Sequence, residues 1–128
     1  MHTSQLPVYY TSMVMRFFQG FQYALAGLRL AWMKGINFKI QSICAMLALT
    51  LGWSLGFSPL EYVVVILVIS LVLAAETFNT ALEELCDKFQ PTHDPHIAKI
   101  KDLAAAAVLI ASFGAGIIGI IMFVPHLW

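Results

Sequence analysis

Oxygen-bearing side chains are concentrated in the stretch Glu76-Thr-Phe-Asn79-Thr80-Ala-Leu-Glu83-Glu84-Leu-Cys-Asp87. On a helix turning about 100° per residue, Glu76, Asn79, Glu83 and Asp87 fall within one arc of about 80°, with Thr80 beside them. Leu82, Leu85 and Phe89 point elsewhere, and Glu84 is rotated off the stripe, where it reads as an ordinary rim charge. Glu83, Glu84 and Asp87 could by themselves be a solvated helix end balanced by Lys88. Glu76 does not fit that description, because the fourteen residues before it, Tyr62 to Ala75, carry no charge. A carboxylate in such a setting is costly unless it is paired, protonated or bound to metal. Donors that are oxygen alone suit Mg²⁺, which takes carboxylates, waters and phosphate oxygens.

A second polar cluster is Lys99-Ile-Lys101-Asp102, directly before four alanines. Lys99 reads as a topology anchor. Lys101 has small neighbours and can hold a phosphate as a point charge. The chain contains neither a Gly-x-x-x-x-Gly-Lys-Ser/Thr loop nor a Gly-x-Gly-x-x-Gly loop, so a nucleotide would have to be held by other means. His93 and His96 fall in the Pro-containing segment Gln90-Pro-Thr-His-Asp-Pro-His96 and are expected to be plain loop residues.

The elements that position these side chains follow from the gaps between charges. Ile40 to Leu60 and Leu103 to Val124 carry no Asp, Glu, Lys or Arg. Each is long enough to cross a hydrocarbon core of about 30 Å at about 1.5 Å per residue. The stretch from Tyr62 to Ala75 is too short alone and spans only if its helix runs on through Glu76. Ser58 as cap and Pro59 at the first helical position mark the turn between the first two spans. The two prolines after Gln90 end the second. The expected architecture is an all-α integral membrane domain covering residues 1–128. It has a variable N-terminus at 1–12, a surface helix at 13–35 and spans at 40–58, 60–89 and 99–125, with a loop at 90–98. Arg16, Gln19, Gln22 and Arg29 among aromatic and aliphatic residues make the first helix an amphipathic interfacial element. The first dozen residues lack a basic region followed by an apolar core, so a cleaved signal peptide is not expected.

Composition agrees. The chain is 60% apolar and 11% charged with zero formal net charge. That excludes a disordered linker or a charged coiled coil, and it argues against a nucleic-acid partner. A soluble fold of this size could not hide so much apolar surface. All seven basic residues lie before the first span or between the second and third, which puts the N-terminus and the Lys88–Lys101 loop in the cytoplasm and the C-terminus outside. Glu61, Glu84 and Asp94 are left as surface charges. Cys44 and Cys86 read as small apolar residues rather than a disulfide. Ala107, Ala111, Ala115 and Gly119 recur every four residues, a spacing that permits close helix contact within one chain or between copies.

Taken together, Glu76-x-x-Asn79-Thr-Ala-x-Glu83-x-x-x-Asp87 followed by Ala98-Lys-x-Lys-Asp102-x-Ala-Ala-x-Ala-Val-Leu-Ile resembles the prokaryotic diacylglycerol kinase family, which includes undecaprenol kinases. The likeness extends from about Arg16, through Ala26-Gly27-Leu-Arg29 and Asn37-Phe-Lys-Ile, to the third span. The resemblance implies a homotrimeric helical bundle in the bacterial cytoplasmic membrane. It also implies transfer of the γ-phosphate of MgATP to a lipid hydroxyl, of undecaprenol or diacylglycerol, at the cytoplasmic face. By position, Glu76 matches the general base on the lipid hydroxyl, Asn79 the asparagine near it, and Glu83 a magnesium ligand. Asp87 matches a polar active-site aspartate, and Lys101 and Asp102 match the pair serving the nucleotide phosphates. Arg16 and Arg29 match basic positions near the nucleotide, with Arg29 also toward the lipid substrate. Asn37-Phe-Lys-Ile-Gln41 and Asn79-Thr-Ala lean toward the undecaprenol branch.

One position departs from the pattern. The family usually has a metal-binding glutamate two residues before the Asn-Phe-Lys/Arg segment, and here that place is Gly35. No Asp or Glu occurs from Met1 to Leu60, so the N-terminal half offers the metal no carboxylate. A member that keeps the fold without the activity is the alternative this leaves open. For the topology, a reporter active only outside the cytoplasm should be active when fused after Trp128 and silent when inserted at Thr92. The reverse pattern would invert the orientation.

Overall fold

The computed structural model describes residues 13–128, and the expectations for residues 1–12 fall outside that range. The described residues form four helices: α1 (Met13–Lys34), α2 (Ile36–Ser54), α3 (Pro59–Phe89) and α4 (Pro95–Phe123). A 3₁₀ turn over Val124–His126 ends the chain. Three stretches, Ile36–Ser54, Pro59–Phe89 and Pro95–His126, are long and apolar enough to cross a membrane. α3 packs mainly on α4 and also on α2, while α1 touches both α2 and α3.

The helix boundaries depart from the sequence expectations at three points, each for a local reason. α2 begins at Ile36 rather than residue 40, because Gly35 alone, in an extended conformation, separates it from α1. α2 also ends at Ser54, four residues early. Gly56 adopts a positive φ of 73°. Its N–H donates to the Trp53 carbonyl, and the Phe57 N–H donates to the Gly52 carbonyl. These are the paired bonds of a Schellman stop, which favours glycine at the left-handed position. α4 begins at Pro95 rather than residue 99. The Asp94 side chain accepts from the N–H groups of His96 at 2.8 Å and Ile97 at 3.1 Å, with Pro95 at the first helical position. The Ile97 and His96 amides hold the Asp94 carboxyl below its ordinary pKa. His96 is therefore a helical residue, while His93 stays in the loop.

α3 starts as the Ser58-Pro59 pair predicts, with a full capping box. The Glu61 N–H donates to Ser58 Oγ, and the Ser58 N–H donates to Glu61 Oε2 at 2.7 Å. Glu61 is thus more than a surface charge. It is half-buried, and its Oε1 lies 3.3 Å from His126 Nε2. Phe57 fills the same corner, with its ring centroid 4.8 Å from both Phe123 and His126. That corner ties the α2–α3 turn to the end of α4.

The described chain has few buried apolar residues; Phe38, Phe57, Val65, Val72 and Val108 are among them. Leu67, Leu71, Ile110 and Phe113 stay outside. At about 1.5 Å per residue, the 31 residues of α3 extend roughly 46 Å, beyond a hydrocarbon core of about 30 Å. The polar stripe occupies its second half.

Gly52 and Gly20 should respond oppositely to alanine. A Cβ on Gly52 would stand 2.8 Å from Phe57 Cδ2, whereas one on Gly20 meets nothing within 4 Å. Gly52→Ala should destabilise by about 1–3 kcal/mol, outweighing the helix-propensity gain of about 1 kcal/mol that Gly20→Ala keeps. Thermal melts in detergent followed by circular dichroism read both signs.

Candidate active site on the third helix

The stripe is arranged as the helical spacing predicts, with burial falling along it. Glu76 is 3% exposed and Asn79 8%, Glu83 is half-buried, and Asp87 is exposed. Glu76 and Asn79 are the buried polar residues among those described. The Thr80 hydroxyl donates to the Glu76 carbonyl at 3.0 Å, so it bonds back to its own helix. Asn79 Nδ2 donates to Glu83 Oε1 at 3.4 Å, which links two stripe positions one turn apart. At the far end, Lys101 of α4 donates to Asp87 Oδ1 at 2.9 Å.

Glu76 and Asn79 line a pocket of about 330 Å³ with Asn37, Ile40 and Gln41 of α2 and Val108 and Ser112 of α4. An adjoining groove of about 390 Å³ shares Ile40, Gln41 and Ser112 with it. Beyond them the groove is walled by apolar and small side chains such as Ala48, Val72, Ala115 and Gly119. A polar group at the upper end and a hydrocarbon chain below it would match that gradient.

Glu76, Asn79, Glu83 and Asp87 therefore run along one helix face from buried to exposed, with Asn79 bonded to Glu83 and Asp87 to Lys101. Asp102 is exposed, and it lies outside the pocket lining, as do the exposed Arg16 and Arg29 of α1. Glu84 is exposed, as expected of a rim charge. It pairs with Lys34 at the end of α1, and both side chains are about half exposed. Gln41 is the residue that the spacing argument passed over. Its Nε2 donates to Glu76 Oε2 at 3.3 Å across 35 residues of sequence. The available signal was a single amide inside the 21-residue uncharged run from Ile40 to Leu60.

Comparison with known proteins decides the family. The model of the prokaryotic diacylglycerol kinase family matches residues 22–123. The chain belongs to that family. It is 31% identical over 112 residues to the undecaprenol kinase of Bacillus subtilis (strain 168), covering 88% of this chain and 91% of that one. It is 30% identical over 104 residues to the diacylglycerol kinase of Escherichia coli (strain K12), covering 81% and 85% respectively. A diacylglycerol kinase of Synechocystis sp. (strain ATCC 27184 / PCC 6803 / Kazusa) shares 35% over 108 residues, and the match spans 62% of its length. Membership makes this chain a lipid kinase, and its three apolar helices fit a membrane protein.

Among the described residues no three His, Cys, Asp or Glu side chains cluster to hold a metal unaided. What the stripe does offer is oxygen. Asn79 Oδ1 is buried with no hydrogen-bond partner, beside Glu83. That donor set fits a hard divalent cation completed by phosphate and water oxygens. Gly35 cannot simply be refilled. A Cβ there would stand 2.9 Å from the Ala31 carbonyl oxygen and 3.2 Å from Phe38 Cβ, so a side chain would displace the α1–α2 joint.

The exposure of the Lys34–Glu84 pair sets its weight. Glu84→Gln should leave stability within about 1 kcal/mol and phosphate transfer within about twofold. A loss of transfer beyond tenfold would move Glu84 into the site.

Proposed function

We propose that the chain transfers the γ-phosphate of MgATP to the hydroxyl of a membrane lipid alcohol, undecaprenol or diacylglycerol. The reaction takes place at the cytoplasmic face of the bacterial inner membrane. The observation that carries this reading is the burial of Glu76, 3% exposed, in the wall of a pocket that opens along an apolar groove. A lipid hydroxyl can reach that carboxylate from the hydrocarbon side while the nucleotide arrives from water.

Glu76 takes the proton of the attacking hydroxyl. The lipid oxygen bonds to the γ-phosphorus, and the bond from that phosphorus to the bridging oxygen breaks, leaving its electron pair on ADP. Such transfers depend on positioning and charge neutralisation more than on covalent chemistry. Glu83 would hold Mg²⁺ together with phosphate and water oxygens, and the ion would supply charge neutralisation. Asn79 orients Glu83 through its amide. Lys101, placed by its pairing with Asp87, meets the nucleotide phosphates, with Asp102, Arg16 and Arg29 around it. Without an acid at Gly35, Glu83 is the metal's carboxylate in this stripe. α1 lies on the membrane surface, α2 to α4 cross it, and the C-terminus faces outward. Three copies assemble, with the small-residue row of α4 at a helix contact.

Purified protein in mixed micelles should phosphorylate at least one of the two lipids from ATP, and only with Mg²⁺ present. Glu76→Gln and Glu83→Gln should each lower turnover by at least about 100-fold while the assembly keeps its size on a sizing column. Retained turnover in both variants, or transfer to neither lipid, would sink this assignment.

A further inference from the structure

Gln41 enters the pocket from α2, whose neighbouring groove residues Ile40, Ala45 and Ala48 are apolar or small. Its amide makes one side-chain hydrogen bond, through the nitrogen alone. Nε2 donates to Glu76 Oε2 at 3.3 Å, while Oε1 is buried and finds no partner in the protein. The orientation is set by chemistry. Turning the amide over would put Oε1 against a carboxylate oxygen, two acceptors face to face. Burying an amide with half its capacity unmet is a cost that a leucine at the same place would avoid. The one side-chain bond that Gln41 makes is to the carboxylate. Helix packing therefore does not account for the residue, and the Glu76 contact does.

We propose that Gln41 is a positioning residue for the Glu76 carboxylate: its Nε2–H holds Oε2, leaving the other oxygen for the proton of the incoming lipid hydroxyl. The inference rests on the reading of Glu76 as the base. A carboxylate on a long side chain has three rotatable bonds, and one fixed oxygen removes most of that freedom before the substrate arrives. Gln41 and Asn79 line the same pocket, and each carries a buried amide oxygen without a partner in the protein.

The test uses the full chain in mixed micelles with ATP and, as probes, diacylglycerol and undecaprenol. Gln41→Leu should lower kcat about 10- to 100-fold, the worth of one hydrogen bond to a charged group. KM for ATP and lipid should stay within about twofold. Gln41→Glu would set a second carboxylate against Glu76, so the pair would resist losing both protons. The acid limb of its pH–rate profile should move up by about one pH unit or more. A kcat within twofold of wild type for Gln41→Leu, or a loss confined to KM, would overturn the inference and leave the base assignment standing. Retained turnover in Glu76→Gln would instead overturn the base assignment itself. If Gln41→Leu does not fold, an unmoved profile for Gln41→Glu overturns the inference.

Discussion

A carboxylate buried at the end of a long uncharged run is the constraint from which the rest of this structure follows. An ionisable group in such surroundings is costly unless something compensates it. Glu76 is compensated by the Gln41 amide on the neighbouring helix and by an open pocket at its other side. Both need α2 and α4 to flank α3 at one height. The length of α3 follows as well, because the helix must carry Glu76 to the edge of the apolar region and then continue into polar surroundings.

Helix ends, rather than a large core, hold those heights. Few side chains are buried, and many large apolar ones face outward, as expected where lipid replaces water as solvent. What limits sliding is the chemistry of the turns. Gly56 stops α2, Ser58 and Glu61 start α3, and Asp94 starts α4. Phe57 wedges between Gly52, Phe123 and His126 at the corner where α3 begins, at the other end of that helix from the stripe. Exposed ion pairs such as Lys34–Glu84 and Lys101–Asp87 add register more than stability.

Family membership and site geometry meet at Gly35. The family resemblance leads one to expect a carboxylate there, and this chain has a close backbone approach instead. The acids of the stripe, Glu76, Glu83 and Asp87, all come from one face of α3, with α2 contributing amides, Asn37 and Gln41, to the pocket beside Glu76.

Much of this was legible from the residues in order. Helical spacing alone put Glu76, Asn79, Glu83 and Asp87 on one face, because a regular helix converts sequence distance into angle. Ser58-Pro59 marked the start of α3, and Asp94-Pro95 held an equally good start signal for α4 that the neighbouring Pro91 obscured. The stop at Gly56 was also written locally, but a lone glycine before an aromatic residue is a weaker mark than a proline. Other features were decided only by tertiary structure. Gln41 meets Glu76 across 35 residues, Lys34 meets Glu84 across 50, and Lys101 meets Asp87 across 14. Local propensity sets where each helix begins and which face is polar, but partners on different helices depend on how far one slides and rotates against another. That freedom is removed only when the helices pack.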